Sequence, residues 1–149
     1  MQRQRVLIWA AWVTHAVAWF LPVEAEGTTF SHGLPGWQAF RVASCAVWRC
    51  EDIQFEHWYN AVFAAISAAT TLLFILGSVW VVWFGSRTVR LASAWIAAIA
   101  FAINAHWYIF FGADRKDLRA GYFLWWFSFL LLALALFDLS GTKLNKRSQ

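Results

Sequence analysis

Charge is what this chain has least of. Only 13% of its 149 residues are Asp, Glu, Lys or Arg, about half the roughly 25% of a soluble globular domain. Hydrophobic residues make up 61%, so there is too little polar surface to cover a water-soluble fold. Proline (2) and glycine (8) are also scarce, which excludes a collagen-like or low-complexity disordered chain. No glycine-rich phosphate loop, no serine nucleophile elbow and no H-E-x-x-H occurs. The net charge of +4 does not indicate nucleic acid, because the basic residues scatter at segment ends and form no patch.

Aromatic residues are abundant, with 12 Trp and 14 Phe, as in the interfacial belts of membrane proteins. Four apolar runs, at about 6–23, 58–84, 91–111 and 120–139, are divided by polar or charged segments. Each run is long enough for a helix to cross a hydrocarbon core of about 30 Å. The expected fold is therefore all-α: a single polytopic domain of four transmembrane helices, with a structured outer loop (24–57) between helices 1 and 2. Val23-Glu24-Ala25 resembles a leader-cleavage site behind the basic start Arg3 and Arg5. The length of the run, its tryptophans and His15 in mid-span favour a retained helix 1.

Basic residues set the expected orientation. Arg3, Arg5, Arg87, Arg90, Lys143, Lys146 and Arg147 fall on one side, and Arg41, Arg49, Arg115, Lys116 and Arg119 on the other. Both termini are accordingly expected in the cytoplasm. Alanines at four-residue spacing (Ala61, Ala65, Ala69; Ala94, Ala98, Ala102) mark faces where helix backbones can approach closely. They predict that helices 1, 2 and 3 pack together. Helix 4, bulky from Trp125 to Leu132, is expected to lean on them and show its surface to lipid or a partner.

The outer loop holds the stretch that bilayer crossing does not explain, LPGWQAFRVASCAVWRC (34–50). Trp37, Phe40, Arg41 and Trp48 are its candidate contact residues, for a protein partner or a second copy of the chain. Cys45 and Cys50 read as a staple, with free thiols or a weak metal contact as alternatives. Their C-x4-C spacing is not the C-x-x-C of thiol oxidoreductases. Residues five apart in a regular helix lie roughly 8–9 Å apart, beyond the ~7 Å limit for a disulfide. A bond therefore requires the helix to break between them.

Three short motifs carry a resemblance: Phe20-Leu21-Pro22, Leu34-Pro35-Gly36-Trp37 with Gln38-Ala39-Phe40, and Gly121-Tyr122-Phe123-Leu124-Trp125. With them the chain resembles a group of small uncharacterised four-helix proteins of bacterial inner membranes. The resemblance implies a multi-pass location there, with the cap in the oxidising periplasm. It implies no mechanism.

His15 and His106 are the ionisable residues within the apolar runs, and such residues are functional candidates. The plain reading is a pair of neutral histidines bonded to Asn104, Thr14 or a backbone carbonyl, with no cofactor. The alternative is a redox protein with one haem held axially by both. A metal site from His32, His57 and His106 with Glu24, Glu26, Glu51, Asp52 and Glu56 has no ligand spacing behind it. The favoured reading is non-catalytic: an accessory, immunity or interaction protein among membrane lipids.

Overall fold

The computed structural model describes residues 2–25, 33–48, 50, 55, 57–110 and 116–141. His32, Arg49, Arg115, the acids Glu26, Glu51, Asp52 and Glu56, and the basic tail from Lys143 lie outside the described residues. The fold is mostly helical, as expected. Helix α1 spans Gln2–Phe20. Strand β1 (Pro22–Glu24) pairs antiparallel with β2 (Leu34–Pro35), and α2 (Gly36–Trp48) follows. Helix α3 is Trp58–Phe84, α4 is Arg87–Ile109 and α5 is Ala120–Gly141.

Those last three are long and apolar enough to cross a membrane. Helix α1 is not among them, which departs from the four equal runs expected. Its apolar part begins only at Val6, and Pro22, which cannot continue a helix, sits two residues past its end at Phe20. Fifteen residues of helix, at 1.5 Å each, reach roughly 22 Å. The rest of the apolar run, Leu21 to Val23, is spent on the turn into β1.

Helix packing also differs from the expectation. Helix α5 is the hub, packed along its length against α1 on one side and α4 on the other. Nine of its 22 residues are buried, from Gly121 to Ser140. The reason is complementarity of size. Phe129, Leu132 and Leu136 of α5 fill the space left by Ala94, Ala97 and Ala100 of α4 and by Ala11 of α1. Small residues of α1 and α4 thus share one cluster with the large ones of α5, which also contributes Ala133. Ala98 and Ala102, on the face predicted to pack, are half-buried and exposed.

Helix α3 packs closely on α2 but stands further from α1, α4 and α5, which it reaches largely through long side chains. The Trp12 indole donates to Ser78 Oγ at 3.0 Å, and the Trp125 indole to Thr71 Oγ1 at 3.0 Å. A single π-helical segment, Leu73–Gly77, turns Phe74 into the core against Phe129, with ring centroids 5.3 Å apart. The turn between α3 and α4 needs only Gly85 and Ser86. Ser86 Oγ caps α4 by accepting from the Val89 amide at 3.3 Å. Arg90 reaches back to the Val82 carbonyl at the end of α3 and to the Val81 carbonyl, which also accepts from the Gly85 amide at 3.0 Å.

Candidate binding cavity under the cap

At one end of the bundle the three motifs meet. The Gly36 amide donates to the Leu21 carbonyl at 3.1 Å, which docks the start of α2 onto the end of α1. A side chain at Gly36 would collide with the Ala18 carbonyl and stand 2.9 Å from Trp19 Cα. At the start of α5, a Cβ on Gly121 would lie 2.6 Å from the carbonyl oxygens of both Leu21 and Pro22. Both glycines are therefore places where backbones touch. Strand β1 is held from its other side as well: the Ala25 amide donates to the Asp117 carbonyl at 2.8 Å, and Arg119 to Val23 at 2.9 Å.

Helix α2 is the roof that this corner carries. Gly36, Ala39, Phe40 and Ala43 recur at three- and four-residue spacing and face inward over a cavity of ≈ 520 Å³. That volume falls within the ~300–1,000 Å³ typical of ligand sites. Of the predicted contact residues, Phe40 is thus part of the cavity, tilted against Trp19 with ring centroids 5.4 Å apart. Trp37, Arg41 and Trp48 lie on the opposite face of α2, where Trp48 is 80% exposed.

The staple is formed. Cys45 and Cys50 are disulfide-bonded with Cα atoms 5.0 Å apart, and α2 stops at Trp48, between them. The geometric condition read from the spacing is met, and the bond closes the end of the roof helix.

Below the roof, Ser67 and Thr71 of α3 form the polar part of the lining, one turn apart. They belong to a buried network centred on Asn104, which is wholly inaccessible to solvent. Ser67 Oγ donates to Asn104 Oδ1 at 2.8 Å, and Asn104 Nδ2 donates to Thr70 Oγ1 at 3.1 Å and to the Ala100 carbonyl at 2.9 Å. The Trp107 indole donates to Ser67 Oγ at 3.1 Å, and the Tyr122 hydroxyl to the Asn104 carbonyl at 3.0 Å. This network ties α3, α4 and α5 together where they line the cavity. No motif marks it in the sequence; its signal there is Ser67, Thr70 and Thr71, three hydroxyls at i, i+3 and i+4 inside an apolar run.

The two histidines are buried but not brought together. His15 stacks on Phe74 at 4.0 Å, and His106 stacks on Phe63 at 4.1 Å. Phe63 and Phe74 are eleven residues apart on α3, roughly 16 Å along its axis at 1.5 Å per residue. One haem does not span that separation in this structure. His106 Nδ1 donates to the Ile103 carbonyl at 2.7 Å. Ser128 spends its proton on the Trp125 carbonyl at 2.6 Å, so His15 Nδ1 must be the donor in its 2.8 Å bond to Ser128 Oγ. The His106 bond to a backbone carbonyl is of the kind expected, and the Ser128 partner of His15 is a different one. Among the described residues no three His, Cys, Asp or Glu side chains gather, and His57 stacks on Tyr59 at 5.0 Å.

Comparison with protein-family models, with curated proteins and with solved structures returned no match. The cavity and its lining are the ground on which a function can be argued.

Proposed function

We propose that this chain is an integral membrane protein whose activity is non-catalytic binding of a small amphiphile beneath the disulfide-closed cap. The observation that carries this reading is the ≈ 520 Å³ cavity itself, walled mainly by Trp19, Phe40, Tyr122 and Trp125, with a short polar strip at Ser67 and Thr71. A packed core has few voids larger than a water molecule. A space of this size, held open by a stapled helix and two bare glycine contacts, serves an occupant. In the bacterial inner membrane, α3, α4 and α5 cross fully, and α1 completes a fourth, shorter crossing with both termini in the cytoplasm. The cap then faces the periplasm, and the exposed Trp48 and Trp58 lie at the level of the lipid headgroups.

The test fills the cavity from within. Ala68, buried in its lining, becomes tryptophan, and saturable uptake of a fluorescent fatty amphiphile is compared with the unaltered protein in maltoside micelles. Loss of uptake with the melting temperature kept is the expected result. Uptake unchanged by Ala68→Trp refutes the site. Topology is checked separately: a periplasm-active reporter should be active when inserted beside Lys116 and silent at the C-terminus, and the reverse pattern refutes the orientation.

A protein-contact reading is favoured by one feature, the outward face of α2, which presents Trp37 (44% exposed), Val47 (57%) and Trp48 (80%). The same face fits a lipid headgroup layer, so it is secondary to the cavity.

A further inference from the structure

The hydrogen bonds of the lining show what kind of head group the cavity can take. Its donors are nearly all committed to the protein. The indoles of Trp107 and Trp125 point to Ser67 and Thr71, and the Tyr122 hydroxyl is spent on the Asn104 carbonyl. Ser67 gives its proton to Asn104, and Thr71 gives its proton to the Ser67 carbonyl at 2.9 Å. Only the Trp19 indole, of the aromatic N–H groups in the lining, has no such acceptor. Acceptor capacity remains instead. Each hydroxyl that donates once and accepts once keeps a lone pair.

One more acceptor lines the cavity. Glu24, held in β1 by pairing with Leu34 and by a bridge to Leu118, is the single ionisable acid of the lining among the described residues. Among those residues no Lys, Arg or His accompanies it there. Among the described residues the Glu24 carboxylate has neither an ion pair nor a hydrogen bond. A partly buried carboxylate in an apolar wall is costly unless a cation joins it. Trp19, Phe40 and Trp125 line the same cavity, and aromatic faces attract cations.

We infer that the cavity selects a lipophilic amine, with its ammonium head at Glu24 and its apolar body between the cap and α3. This rests on the binding reading above and specifies its ligand class. The chemistry belongs to a free alkyl or aryl amine or to the ethanolamine head of a lipid.

The test uses three probes with one body and different heads: 2-naphthylethylamine, 2-naphthylethanol and 2-naphthylacetate. Each is measured by equilibrium dialysis against the full chain in maltoside micelles, with protein-free micelles as the blank. The amine should bind at least about tenfold tighter than the alcohol, and the acetate should be excluded. Glu24→Gln should bring the amine down to the affinity of the alcohol, with an unchanged melting temperature showing that the variant is folded. Equal binding of amine and alcohol, or an amine indifferent to Glu24→Gln, overturns the inference while the binding reading stands. No saturable binding by any of the three overturns both. Where the amine binds, displacement by added phosphatidylethanolamine identifies the lipid head as the source, and no displacement identifies a free amine.

Discussion

Asn104 joins three helices through one side chain and one carbonyl, so its replacement tests whether the polar network holds the cavity wall. Asn104→Ala removes three side-chain hydrogen bonds, to Ser67, Thr70 and the Ala100 carbonyl. Between helices in lipid, such bonds are worth about 0.6 kcal/mol on average. The truncation also leaves a small void where the residue is now fully buried. Ser67 can turn its proton to a carbonyl of its own helix, which limits the damage. The sum is a loss of about 2–3 kcal/mol, within the ordinary range for breaking a buried network. Unfolding by SDS titration in mixed micelles, followed by near-ultraviolet circular dichroism, reads this directly. The sharper measure is the cycle of Ser67→Ala, Asn104→Ala and the double variant. If the two groups interact as their 2.8 Å separation implies, the coupling should be about 0.6–1.7 kcal/mol. Effects that add to within ~0.3 kcal/mol would refute the network as a source of stability.

Two further outcomes test the packing and the roof. Ala94→Leu, at a wholly buried position in the α4–α5 contact, should cost about 1–3 kcal/mol by overpacking; Ala102→Leu, on the exposed face of α4, should be neutral in the same denaturation assay, and equal tolerance would mean that α5 is not the hub. Cys45→Ser with Cys50→Ser should lose about 2 kcal/mol or less from opening so short a loop, insert normally, and make α2 more sensitive to protease added from the cap side; unaltered digestion would show that the staple does not fix the roof.

The helical class, three long apolar helices after residue 58 and the staple were legible in the sequence, because each is set by local properties. Run length and cysteine spacing are read along one segment. The hub was not legible, because close packing depends on pairs of surfaces. An alanine face permits close approach but does not name its partner, and the bulk from Trp125 to Leu132 reads as lipid exposure in the sequence, whereas Phe129 and Leu132 are buried with the alanines of α4 and α1. The end of α1 was not legible for a related reason. Leu21, Pro22 and Val23 are apolar enough for a span, yet their backbone is claimed by Gly36 and Arg119.

Histidine in an apolar run is conspicuous in a sequence, whereas what makes a cavity is an absence of filling. The wide spacing of α3 arises because its neighbours touch it with Trp12, Trp125 and Phe129, and long side chains at an interface hold backbones apart. Where those side chains stop, at the level of Ala64 and Ala68, the separation persists without anything to fill it. Gly36 and Gly121 then bring α2 and β1 close enough to cover the gap. The short motifs thus fix the cap in place, and Ala64 and Ala68, beside the alanine face read from the sequence, are the floor. A site built this way is visible only once large and small residues have been assigned to facing helices.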